Sequence, residues 1–193
     1  MEPVFERLLF IEQPMHRSVA LSNSIAAALL AWKNRPPIIL DESDSEIGSL
    51  PLALDCGYAG TSHKNCKGIF RGIANACLLA QRRKTGEAAI MSAEDLANIG
   101  PIALLQDLAV QACLGNASVE RNGHHYFRGL SFWPEDVQHA IRDNHPDLYS
   151  ENGGLTALRV EHGKIQLGSV NAAPFGVCPL LEKQLKLFPM CPG

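Results

Sequence analysis

Short apolar runs that alternate with longer helical stretches constrain this chain more than any other feature. Leu8-Leu9-Phe10-Ile11 is a continuous apolar run suited to a strand buried on both faces. A helical stretch from about Ser18 to Trp32 follows, and Pro36-Pro37 stops it before the next run, Ile38-Ile39-Leu40. The cycle repeats with a helix near Leu50 to Cys56, a strand ending near Ser62 and a helix from Ile69 to Arg83. A strand at Ala88 to Ser92, a helix from Pro101 to Leu114 before Gly115, a strand near Ala117 to Glu120 and a helix opening at Trp133-Pro134-Glu135 complete it. Such alternation predicts βα units around a parallel sheet of about five strands rather than a bundle or a sandwich.

The tail changes character. Leu155 to Val160 and Lys164 to Val170, separated by Glu161-His162-Gly163, alternate like a small antiparallel hairpin, and Pro and Gly crowd the segment after it. Residues 1–150 are therefore expected to form the βα region, and 151–193 a hairpin followed by an irregular strap. At 46% hydrophobic and 19% charged residues, the chain has the profile of a globular domain with one sizeable core.

Net charge is -3, and the only basic run is Arg82-Arg83-Lys84, the solvated end of a helix, so no nucleic-acid footprint is present. The longest apolar stretch, around Ile25 to Trp32, is too short to cross a bilayer. Six cysteines lack C-x-x-C spacing and no secretory pattern opens the chain, which reads as reduced thiols in a cytoplasm.

In parallel α/β sheets and barrels the active groups sit at the carboxyl ends of strands, where rigid strands meet variable loops. Each apolar run here is followed by polar or ionisable groups: Glu12, Asp41-Glu42, His63-Lys64, Glu94-Asp95 and Glu120. One acidic residue in such a place is ordinarily a helix cap. Several carboxylates facing one mouth repel each other unless a cation or a lysine neutralises them. Hard oxygen ligands without thiolate or clustered imidazole favour Mg²⁺ over Zn²⁺.

Three segments carry a family resemblance. Phe10-Ile11-Glu12-Gln13-Pro14 and Ile39-Leu40-Asp41-Glu42-Ser43 resemble the strand-four and strand-five signatures of the mandelate racemase/muconate lactonizing group of the enolase superfamily. Lys64-Asn65-Cys66-Lys67-Gly68 is similar to that group's strand-six Lys-x-x-Lys segment, with Gly68-Ile69 where the family usually has Gly-Gly. Asn171-Ala172-Ala173-Pro174-Phe175-Gly176-Val177 resembles the return segment that packs on the family's capping domain. Together the matches span roughly residues 8 to 178.

The resemblance implies a partial TIM (β/α)₈ barrel, about strands 4 to 8, with the hairpin and strap at its C-terminus. It implies Glu12 and Asp41 as ligands of Mg²⁺, Lys64 as the acid/base, and Glu120, at the end of strand eight, as an assisting carboxylate. Glu94 takes the strand-seven position where the racemase subgroup keeps a histidine. Lys67 is expected to touch substrate, and the His124-His125 pair, beside Tyr126, either lines the pocket and touches substrate or has a structural or surface role, while His63 only packs or hydrogen-bonds beside Lys64.

The implied reaction removes a proton from the carbon next to a carboxylate and passes through an enediolate, the logic of a superfamily that uses a Lys or His base with Mg²⁺. A lysine base needs its pKa drawn down from about 10.4, by burial or by nearby positive charge.

Set against the family, the chain is expected to lack the capping domain, the strand-two lysines and the strand-three aspartate, and so to be an inactive truncation. Exposed barrel edges would then favour association, including homo-oligomers. A folded remnant acting only as an assembly or binding partner is the alternative. A flavodoxin-like nucleotide binder is disfavoured, because no Gly-rich phosphate loop follows the first strand.

Overall fold

The structure, a computed structural model, describes residues 2–94, 98–121, 123, 126–179, 181 and 183. These form two compact units, one within Met1–Ala93 together with Asn116–Ser118, the other within Glu94–Gly115 and Val119–Gly193.

The first unit opens with a short helix, α1 (Glu2–Phe5), and then repeats β1 (Ile11–Glu12), α2 (Asn23–Ala31), β2 (Ile38–Leu40), α3 (Ser49–Asp55), β3 (Gly60–His63), α4 (Ile69–Lys84) and β4 (Ile90–Glu94). A single 3₁₀ turn, Asn65–Lys67, separates β3 from α4. The strands of this unit lie in chain order, β1-β2-β3-β4. The three pairings from β1 to β4 are parallel, so each connection is a helical crossover, as the alternation predicts.

Register fixes which side chains share a face. Glu12 opposes Ile39, Ile39 opposes Gly60, and Gly60 opposes Ile90, while the pairs Thr61↔Met91 and Ser62↔Ser92 follow. Counting by twos, Glu12, Ile39, Gly60, Ser62, Ile90 and Ser92 lie on one face. Ile38 and Leu40 lie on the other, in a core with Ala20, Leu29, Ala53 and Tyr58. The Tyr58 hydroxyl donates to the Ala20 carbonyl at 2.8 Å, and burial pushes its pKa up to about 12.

Two glycines are dictated by close approach. A Cβ on Gly60 would fall 1.7 Å from the Ile90 carbonyl oxygen, so no other residue fits between β3 and β4 at this register. A Cβ on Gly72 would meet the His63 ring at 2.5 Å, which is how α4 lies against the end of β3.

Several boundaries differ from the sequence expectation. The ladder of β1 begins only at Ile11, whose amide donates to Pro37 O at 2.7 Å, and Leu9 is exposed instead of buried. Helix α2 starts at Asn23 rather than near Ser18, because residues 16–22 close turns on His16 O and Val19 O, and Ser22 caps the helix through its hydroxyl.

The second unit holds α5 (Ile102–Leu114), β5 (Val119–Glu120), α6 (Glu135–Asn144), an antiparallel hairpin of β6 (Tyr149–Asn152) and β7 (Leu155–Leu158), and α7 (Gly168–Ala172). Its core gathers Leu104, Leu105, Leu108, Leu130, Val137 and Ile141, among others. The hairpin expected over Leu155–Val170 forms instead over Tyr149–Leu158. Gly153 and Gly154 both take positive φ, 57° and 77°, the pair that a two-residue hairpin turn requires. His162 and Gly163 also turn with positive φ, yet they close a single bridge, Glu161↔Lys164, because the chain enters α7 at Gly168.

Among the described residues no helix is long and apolar enough to cross a membrane.

Candidate functional site

Parallel pairing puts the carboxyl ends of β1 to β4 at one end of the sheet. Glu12 is the last residue of β1, Asp41 follows β2, Lys64 follows β3, and Glu94 ends β4, where the chain passes into the second unit. Lys64 keeps extended backbone angles, φ -135° and ψ 137°, so the alternation of β3 carries through it and gives it the parity of Ser62.

The peptide that carries Asp41 is held from β1. The Gln13 side-chain carbonyl accepts the amides of Asp41 at 2.9 Å and Ser43 at 3.0 Å, and the Asp41 carbonyl accepts the Asp44 amide at 2.8 Å. Behind this turn Asp44 is buried, and its Oδ2 accepts from Thr61 Oγ1 at 2.9 Å and Asn75 Nδ2 at 3.0 Å. The loop after β2 is thereby tied to β1, β3 and α4.

Asp41 is the electrostatic centre. Lys64 Nζ lies 2.8 Å from Oδ2 and Lys67 Nζ lies 2.9 Å from Oδ1, with all three side chains largely withdrawn from water. Burial by itself would raise the pKa of Asp41; the hydrogen bonds and charges of Lys64 and Lys67 outweigh it and hold the carboxyl below its ordinary value. Lys67 Nζ also donates to the Asp41 carbonyl at 2.9 Å and the Ser62 carbonyl at 2.6 Å. Its ammonium therefore sits among three oxygens. A carboxylate oxygen of Glu12 lies within 4.8 Å of one from Asp41.

The same face carries two further polar groups. Ser62 and Ser92 oppose each other across β3 and β4, both are buried, and neither hydroxyl has a hydrogen-bond partner among the described residues. Buried hydroxyls are ordinarily satisfied, so a pair left open beside charged side chains suits a polar ligand or water. Gln13, Asp44, Ser62 and Ser92 escape a reading that looks only at the residue after each apolar run. Counting back by two from Lys64 and Glu94 would have found the serines.

His63 is buried against Gly72 and shares a hydrogen bond with Asn65 Oδ1 at 3.2 Å, a packing position. In the second unit Glu120 ends β5 and is exposed, Tyr126 is exposed, and Arg121 pairs with buried Asp107 at 2.8 Å. Asp95, His124 and His125 lie outside the described residues.

Comparisons with family models, with curated proteins and with solved structures find no match to this chain.

Proposed function

We propose that this chain carries the cation-binding and proton-transfer side of an active site that removes a proton from the carbon next to a carboxylate. The reaction class is that of the acid-sugar dehydratases, cycloisomerases and racemases or epimerases of the enolase superfamily, on a partial (β/α)₈ barrel in a cytoplasmic setting. The observation that carries this reading is the buried Lys64–Asp41 contact of 2.8 Å, delivered by the ends of two adjacent parallel strands, with a Glu12 oxygen within 4.8 Å of Asp41.

The donor set suits Mg²⁺ as cofactor. Its ligating atoms are hard oxygens, two carboxylates on neighbouring strands, with two unpartnered buried hydroxyls on the same face. Glu12 and Asp41 would hold the ion, which when bound lowers the cost of the second negative charge that grows on the substrate carboxylate. Lys64 first gives up one ammonium proton to solvent and leaves Asp41 for the substrate, and the neutral amine then takes the substrate proton at Nζ. Lys67 supplies positive charge to the substrate. Glu94 and Glu120 are proposed as the further carboxylates of the mechanism, and the substrate as a small carboxylate.

The test is α-proton exchange in D₂O with Mg²⁺, read by NMR across a panel of acid sugars and 2-hydroxy acids. Deuterium should enter one class of substrate, and Lys64→Met and Glu12→Gln should each abolish it. No exchange with any substrate, together with no bound Mn²⁺ by EPR, would overturn the reading.

One observation favours a non-catalytic folded partner instead: both Asp41 oxygens are already taken by ammonium groups, as in a purely structural ion-pair network. That alternative predicts Lys64→Met to change stability and nothing else.

A further inference from the structure

The contacts of Lys67 point beyond a general positive charge. Its Nζ has one carboxylate oxygen, Asp41 Oδ1, and two backbone carbonyls, Asp41 O and Ser62 O, at 2.9, 2.9 and 2.6 Å. An ammonium has three donors and here each has an oxygen, so the group is fully coordinated. Three converging oxygens, one of them charged, are also what a hard cation asks for.

We infer that Lys67 is a tethered counter-ion that occupies the cation position at Asp41, so that a divalent ion held by Glu12 and Asp41 must first displace the Lys67 ammonium from Oδ1. This rests on the metal-binding reading above and adds to it a built-in competitor.

The charges set the direction. Asp41 has one negative charge and two ammonium partners, so a divalent ion arriving at Glu12 and Asp41 meets like charge at close range. In a site this withdrawn from water such repulsion is weakly screened. Lys67 is the displaceable partner by geometry. It reaches back from the 3₁₀ turn Asn65–Lys67 beyond the strand end, whereas Lys64 continues the extended path of β3. The backbone of Asp41 is held in place, because Gln13 accepts its amide and the Asp44 amide donates to its carbonyl.

The experiment is Mn²⁺ binding by EPR, with Mg²⁺ competition, on the full chain and on Lys67→Met, Lys67→Arg, Glu12→Gln and the double variant Glu12→Gln/Lys67→Met. Thermal melts accompany each protein. Lys67→Met should bind Mn²⁺ about tenfold more tightly than wild type or better, Lys67→Arg should gain nothing, and the double variant should lose the gain. Equal or weaker binding by Lys67→Met overturns the inference, as does an equal gain in Lys67→Arg. If wild type binds Mn²⁺ through Glu12 with no gain in Lys67→Met, the competitor falls and the metal site stands. No binding by any of these proteins overturns both.

Should Lys67→Met fail to fold, the Lys67 ε-methylene resonance of wild type is the readout. It should shift on saturation with Mg²⁺, and an unmoved resonance at saturation overturns the inference.

Discussion

Gln13 and Asp41 are joined across β1 and β2 by a hydrogen bond of 2.9 Å from the Asp41 amide to the Gln13 side-chain carbonyl. The residue beside one candidate ligand, Glu12, therefore sets the backbone of the next. Removing that acceptor buries two unsatisfied amides, those of Asp41 and Ser43. Gln13→Ala should cost about 2 kcal/mol in urea unfolding, with the midpoint lowered and the slope unchanged. An unaltered midpoint would show that the loop finds other partners.

Asp41→Asn should destabilise by about 3 kcal/mol or more at pH 7, because it leaves two buried ammonium groups without their counter-charge. The folded carboxyl titrates below its unfolded value, so its contribution is fully present above about pH 3.9 and fades as pH falls through the lower folded pKa. The gap between wild type and Asp41→Asn in denaturant midpoints should narrow only in that acid window. A gap that closes already between pH 7 and 5 would contradict this origin.

His145 gives a second, separate pH dependence. Burial holds its pKa below the ordinary value against the raising effect of Asp147, and Nδ1 shares a hydrogen bond with Ser169 Oγ at 3.0 Å. The neutral ring is the form the folded chain prefers. Its contribution is complete above about pH 6.5 and is lost as pH falls from there toward the lower folded pKa. Stability should decline between pH 7 and 5 in wild type and decline less in His145→Gln. Parallel pH profiles for the two proteins would rule the ring out as the cause.

Gly60→Ala should prevent folding or cost more than about 4 kcal/mol, since the added methyl meets backbone, the Ile90 carbonyl, at 1.7 Å. Gly72→Ala meets a side chain, the His63 ring at 2.5 Å, and should be milder. Soluble, cooperatively melting Gly60→Ala protein would disprove the register given for β3 and β4.

Thr61→Val tests the support behind the site. It removes the donor to Asp44 Oδ2 at 2.9 Å and to Leu40 O at 3.1 Å while keeping the shape of the side chain. A loss of about 1–3 kcal/mol is expected. No loss would mean that Asp44 is held by Asn75 alone.

The order of elements was legible because a strand buried on both faces must be a continuous apolar run, and Ile38-Ile39-Leu40 is one. The strand-end groups were legible for the same reason: where such a run stops, the first polar residue lies at the rim, which is where Glu12, Asp41, Lys64 and Glu94 are found. What the sequence hides is partnership. Nothing local says that Lys67, three residues past Lys64, bends back to Asp41, or that Gln13 reaches across 28 positions to the Asp41 amide. Ser62 and Ser92 look like loop residues until the register pairs them. Alternation in Leu155–Val170 predicts a hairpin there, yet the Gly153-Gly154 turn, with positive φ at both positions, sets the pairing over Tyr149–Leu158.

Because Gln13 is the chain neighbour of Glu12, the clamp on the Asp41 peptide yokes the two carboxylates mechanically. A tilt of the first strand carries the second loop with it, so the backbones that bear the two carboxylates move as one piece. In the cation-binding reading, an ion at that mouth would meet two ligands whose backbones shift together.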